Sequence, residues 1–105
     1  MSISQDILIE NSIISNNISN QNGAGIGSDN IKLTLKNTSI TDNTAMHQGG
    51  GIWAINSLLE IDKTTFVNNN SVQGGAIYAD MGTESINIKN SIFGHNGNED
   101  ADLWF

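Results

Sequence analysis

Eleven Asp and Glu, four Lys and two His are the residues of this chain that could do acid, base or metal chemistry, and their spacing converges on none of the usual arrangements. His47 and His95 fall in different turns, far apart in the chain, so they form neither a pair nor a His-Glu-x-x-His ligand set. No Ser-His-Asp order and no nucleophile-elbow motif occurs. Asp42, Asp62 and Asp80 hold different positions within the repeat described below, so no two of them share one column as a carboxylate pair. A lyase acting on acidic sugars would want an Arg base beside clustered acids that hold Ca²⁺. The chain has no Arg, and its densest acids are Glu99, Asp100 and Asp102 near its end. Asp29, Asp80 and Glu84 lie in connecting loops rich enough in oxygen to suggest Ca²⁺, but a site needs six or more converging oxygens, and a solvated acidic loop is the expectation. No cofactor or metal is expected.

The elements that must position these residues come from a repeat of about 26 residues. The four copies open with Ile7-Leu8-Ile9-Glu10, Leu33-Thr34-Leu35-Lys36, Leu59-Glu60-Ile61-Asp62 and Ile86-Asn87-Ile88-Lys89. Their second halves carry Gly23-Ala24-Gly25-Ile26, Gly49-Gly50-Gly51-Ile52, Gly74-Gly75-Ala76-Ile77 and a worn Asp100-Ala101-Asp102-Leu103. Apolar residues alternate with polar ones, which is strand periodicity, and Asn and Gly clusters punctuate the runs as turns. Strands this short cannot close a sheet within one copy. Stacked on their neighbours they form the rungs of an all-β single-stranded parallel β-helix, with repeats at 5–30, 31–56, 57–84 and 85–105. Three strands per rung are expected, near Leu33–Leu35, Thr38–Thr41 and Gly51–Ile55 in the second copy.

Stacking turns equivalent positions into columns about 4.8 Å apart. Glu10, Lys36, Asp62 and Lys89 alternate in sign, so neighbours attract in this register. Asn17, Asn43, Asn69 and Asn96, each three residues after Ile14, Ile40, Phe66 or Phe93, are expected to form a structural amide ladder. Ser12, Thr38, Thr64 and Ser91 make a hydroxyl column on the inward side. An ice-binding Thr ladder would have to face outward, so that function is not expected. The small residues before Ile26, Ile52 and Ile77 mark a tight corner where Cβ atoms crowd or φ is positive. They recur in every rung without Gly-Lys-Ser/Thr, against a phosphate loop. Next to each corner Ile stand Gly27, Trp53, Tyr78 and Trp104, which should point outward. Trp53, Tyr78 and Trp104 are then the candidate ligand-binding residues, an aromatic stripe for sugar or protein; the alternative is rings that stack on one another and shield the sheet.

Composition narrows the partners. A net charge of −7 argues against nucleic acid and anionic membrane, and no apolar run reaches a membrane span, so direct membrane insertion is not expected. There is no Cys, hence no disulfide and no thiolate metal site. Met1–Asp6 has neither the basic nor the apolar segment of a signal peptide. No capping segment precedes or follows the rungs, so the chain is expected to be an excerpt of a longer solenoid, or to have its ends covered by another protein or by end-to-end self-association.

Phe66-Val67-Asn68-Asn69 with Gly74-Gly75-Ala76-Ile77, and more loosely Ile40-Thr41-Asp42-Asn43 with Gly49-Gly50-Gly51-Ile52, resemble the repeats of chlamydial polymorphic membrane proteins. The resemblance implies a right-handed parallel β-helix. It also implies a non-catalytic, adhesin-like module of an autotransporter-type surface protein, meeting a protein or glycan on a host or neighbouring cell, or serving as a stalk. Surface display is then expected if the chain belongs to a longer exported one. The readings that compete with it are a fragment of a pectate lyase-like carbohydrate-active enzyme and a self-assembling scaffold.

Overall fold

A computed structural model describes residues 5–80, 82–96 and 103–104. The described residues form strands, turns and bends, with no helix. The first rung holds β1 (Gln5–Glu10), β2 (Ile13–Ser15), β3 (Ile18–Ser19) and β4 (Ile26–Asp29). The second holds β5 (Ile31–Lys36), β6 (Ser39–Thr41), β7 (Thr44–Ala45) and β8 (Ile52–Ile55). The third holds β9 (Leu58–Asp62), β10 (Thr65–Val67) and β11 (Ile77–Asp80), and the fourth β12 (Ser85–Lys89), β13 (Ile92–Gly94) and β14 (Leu103–Trp104). Every pairing is parallel and joins one rung to the next, in the orders β1-β5-β9-β12, β2-β6-β10-β13 and β4-β8-β11-β14. The fold is the all-β parallel solenoid of about four turns that the repeat predicts. The expected three strands per rung are supplemented by a short fourth pairing, β3 with β7, which residue alternation is too brief to signal.

The register follows the chemistry of the columns. Glu10 pairs with Lys36, Lys36 with Asp62, and Asp62 with Lys89. Inside, Leu33, Leu35, Ile40, Ile52, Leu59, Ile61, Phe66 and Ile77 form one buried core. Full burial of such a side chain stabilises by about 1.5–3 kcal/mol. Phe66 lies flat on Phe93 with ring centroids 4.7 Å apart. In the outer rungs Ile9, Ile14, Ile88 and Phe93 are only partly buried, because each has a neighbouring rung on one side among the described residues.

The rungs bend where the backbone turns left-handed, and the bends are columns too. Asn11, Asn37, Lys63 and Asn90 have φ of 54°, 48°, 50° and 53°. Asn16, Asp42, Asn68 and His95 have 59°, 58°, 59° and 56°. A third bend is at Asn30 and Asn56, and a fourth at Gly23, Gly49 and Gly74. Asn and Asp visit this region at lower cost than other residues with a Cβ. Seven of the chain's sixteen Asn stand at these left-handed corners, so the corners account for part of its wealth of Asn.

Candidate functional site

The asparagine column runs through the interior. Asn43 and Asn69 are fully buried, and each side-chain oxygen accepts two bonds from the rung before. Asn43 Oδ1 takes the backbone N–H and the side-chain amide of Asn17 at 3.1 and 2.9 Å. Asn69 Oδ1 takes those of Asn43 at 3.2 and 2.9 Å, and Asn96 Oδ1 takes those of Asn69, both at 2.9 Å. Each amide also donates to a carbonyl of the previous rung: Asn43 to Ile14, Asn69 to Ile40 and Asn96 to Phe66. Buried amides so thoroughly engaged leave nothing for a ligand. The inward hydroxyls of Ser12, Thr38, Thr64 and Ser91 each donate locally to the carbonyl two residues earlier, and Ser91 Oγ also accepts from the Thr64 N–H of the previous rung at 3.2 Å.

The aromatic column is uneven. Trp53 pairs in register with Gly27 on one side and Tyr78 on the other, and Tyr78 with Trp104. Trp53 and Trp104 are half-exposed, but Tyr78 is only 7% exposed, so the column is not an open run of three aromatics but, at Tyr78 and Trp104, the alternative of stacked rings. The physical reason is stacking: the Tyr78 and Trp104 rings lie 4.6 Å apart and 12° from parallel. The Tyr78 hydroxyl reaches the rim and donates to Asp80 Oδ2 at 3.2 Å. Burial first, then the bond to Asp80 and its charge, raise the phenol above its usual value, while Gln48 opposes this. At the other end of the column Trp53 borders an open notch of about 470 Å³, lined by Ser19, Asn20, Gln21, Asn22 and Gly27.

A second surface feature was not legible position by position. Outward residues of β5, β9 and β12 bring Lys32, Lys36, Lys89, Glu60 and Asp62 around one groove of about 290 Å³. Three of the four lysines of this acidic chain gather there. Glu60 accepts from the Asn87 amide at 2.8 Å, and Asp62 from that of Asn90 at 3.0 Å. The charge column already stacks Lys36, Asp62 and Lys89; what column-by-column reading leaves out is Lys32 and Glu60, which join them from neighbouring columns and are signalled in sequence only by the period-two spacing of Lys32 with Lys36 and of Glu60 with Asp62.

The remaining titratable residues stay scattered. Asp42 and His95 occupy the same left-handed bend column, with no others of that type beside them in register, and both serve the turn. Asp29 accepts at 3.5 Å from Asn56, and Asp80 is engaged by Tyr78. Among the described residues no three of His, Asp and Glu come together as a metal site. Glu99, Asp100 and Asp102 lie outside the described residues.

No curated protein and no solved structure matches the chain significantly. A family model does, twice, over the bends, ladder, glycine corner and last strand of the two central rungs. Residues 37–55 and 63–80 match the Chlamydia polymorphic membrane protein repeat, so the two central rungs of this parallel β-solenoid are similar to that repeat.

Proposed function

We propose that the chain is a non-catalytic repeat module of a cell-surface protein, one that holds outward-facing strands for contact with a protein or glycan of a host or neighbouring cell. The observation that carries this reading is the twofold family match on the central rungs. The geometry supports it: the interior columns of those rungs are consumed by packing and amide bonding, so whatever the module does falls to its outer face. On that face Trp53 and Trp104 are the half-exposed aromatics on which contact would rest.

Two linked measurements test it. An antibody against the chain should label intact cells of the source organism as strongly as permeabilised ones; labelling only after permeabilisation would remove the surface assignment. Beads coated with the chain should adhere to target cells, and the double substitution Trp53→Ala/Trp104→Ala should abolish adhesion while the β circular-dichroism spectrum persists.

A further inference from the structure

We infer that the notch beside Trp53 is a binding site for a neutral saccharide, with one pyranose ring lying on the indole. The inference rests on the reading of the chain as a binding module and names its ligand class.

The site is built by a missing side chain. One rung before Trp53 its column holds Gly27, where a Cβ would meet nothing within 4 Å. One rung after, Tyr78 is already stacked on Trp104. Trp53 thus has open space on its Gly27 side, bounded by the turn after β3. That turn is held from within: Ser19 Oγ donates to the Asn22 carbonyl at 3.0 Å and accepts from the Gln21 N–H at 3.1 Å. Asn22 Oδ1 accepts from the Gln48 N–H at 3.2 Å, tying the turn to the next rung. The exposed side-chain amides of Asn20 and Gln21, in contrast, make no hydrogen bond to any other described residue. A half-exposed aromatic face thus borders uncommitted amide donors and acceptors on a fixed turn.

That combination selects for a ligand with an apolar face and a hydroxylated edge, which is what a pyranose presents. The space of about 470 Å³ is shallow and open to solvent, so it can seat one ring against the indole without enclosing it. No charged residue lines it, so there is no carboxylate to fix a cation and no lysine to fix an acid. The net charge of −7 further disfavours anionic sugars. A folded protein partner would need about 600–1,000 Å² from each side, far more than the notch offers.

The test is a titration of the ¹⁵N-labelled chain, following the indole N–H resonance of Trp53, assigned with Trp53→Phe. The probes are methyl β-D-glucopyranoside, methyl β-D-galactopyranoside and methyl α-D-mannopyranoside, with choline chloride as the cationic comparison. At least one glycoside should shift the resonance saturably with a Kd of about 1–10 mM. Gly27→Val, which fills the notch at a position with free space, should weaken that binding at least tenfold with the other amide resonances retained. Gln21→Ala should weaken it several-fold. Absence of a saturable shift with all three glycosides, saturation by choline alone, or unchanged binding in Gly27→Val would each overturn the assignment. Bead adhesion to cells does not depend on this readout, so adhesion that persists without glycoside binding would sink the saccharide and leave the binding module standing.

Discussion

Two columns of this solenoid lie eight to ten residues apart in every rung and obey opposite rules. The asparagine column holds the same residue in all four rungs, is buried at its centre, and is bonded rung to rung through both oxygen and amide. The aromatic column reads Gly27, Trp53, Tyr78, Trp104, and its members are respectively exposed, half-exposed, buried and half-exposed. A position that must bond to its own copy above and below cannot change in one rung without harming two interfaces. A position that faces solvent meets no such demand, and each rung can carry a different residue there. Uniformity along a column therefore marks what holds the stack together, and irregularity marks where a stack can be specialised.

The sharpest way to break this contrast is at the centre of the ladder. Asn69→Leu removes the acceptor of the Asn43 backbone N–H and the donor to the Ile40 carbonyl, both in the interior. Each buried group left without a partner costs about 1–3 kcal/mol, so a loss of roughly 3–5 kcal/mol is expected. Asn17→Ala, at the exposed end of the same ladder, should cost about 1 kcal/mol or less, since solvent can replace its bonds. Urea denaturation of both variants reads the difference. Equal losses would mean that the ladder draws its strength from local turn geometry instead of from burial.

Glycines sharpen the contrast at a smaller scale. Gly49 has φ of 69°, and a Cβ there would run into the Ile52 carbonyl oxygen and come within 2.7 Å of Trp53 Cα. The corresponding corners are Gly23 and Gly74, also glycine and also left-handed. Gly49→Ala should destabilise by about 2–4 kcal/mol, from the backbone penalty plus the steric shift. Gly27→Ala, in the irregular column, should be neutral or stabilise by up to about 1 kcal/mol, because the strand accepts a Cβ and the unfolded chain loses freedom. Thermal unfolding of the pair separates them. A stable Gly49→Ala would mean that the corner can relax without its left-handed residue.

Much of this was legible in the residues themselves. The period of the repeat set the pairing, the sign alternation of Glu10, Lys36, Asp62 and Lys89 marked the register, and the crowded corner could be read from Gly49 and Gly74. What escaped were relations that need three dimensions. Asn clusters and His95 read as turns, but that Asn16, Asp42, Asn68 and His95 share one left-handed bend is a backbone fact that composition hints at without fixing. For the aromatic column the sequence left two arrangements open, an outward stripe or rings stacked on one another, and which rings stack, Tyr78 on Trp104, needs the fold. The groove of Lys32, Lys36, Glu60, Asp62 and Lys89 joins neighbouring columns, and alignment of copies shows columns one at a time.

The charge column lies between the two extremes, regular in its alternation yet open to solvent, and Lys36→Glu tests which of these governs it. Lys36 stands between Glu10 and Asp62 in register, so the variant stacks three acids about 4.8 Å apart. Like charges directly opposite each other across strands cost about 0.2–1 kcal/mol per pair. Lys36 and Glu10 are exposed and Asp62 is half-exposed, so solvent screening keeps the sum near 1 kcal/mol, or about 4–8 °C in Tm for a domain of this size. Salt discriminates the cause. The screening length falls from about 30 Å at 0.01 M to about 3 Å at 1 M, shorter than the strand spacing. The Tm deficit of Lys36→Glu should thus be largest in dilute buffer and nearly vanish in 1 M NaCl. A deficit that persists unchanged in high salt would mean that the Lys36 side chain contributes through its methylenes packed along the groove, and that the alternation of charge sets the register without stabilising the stack.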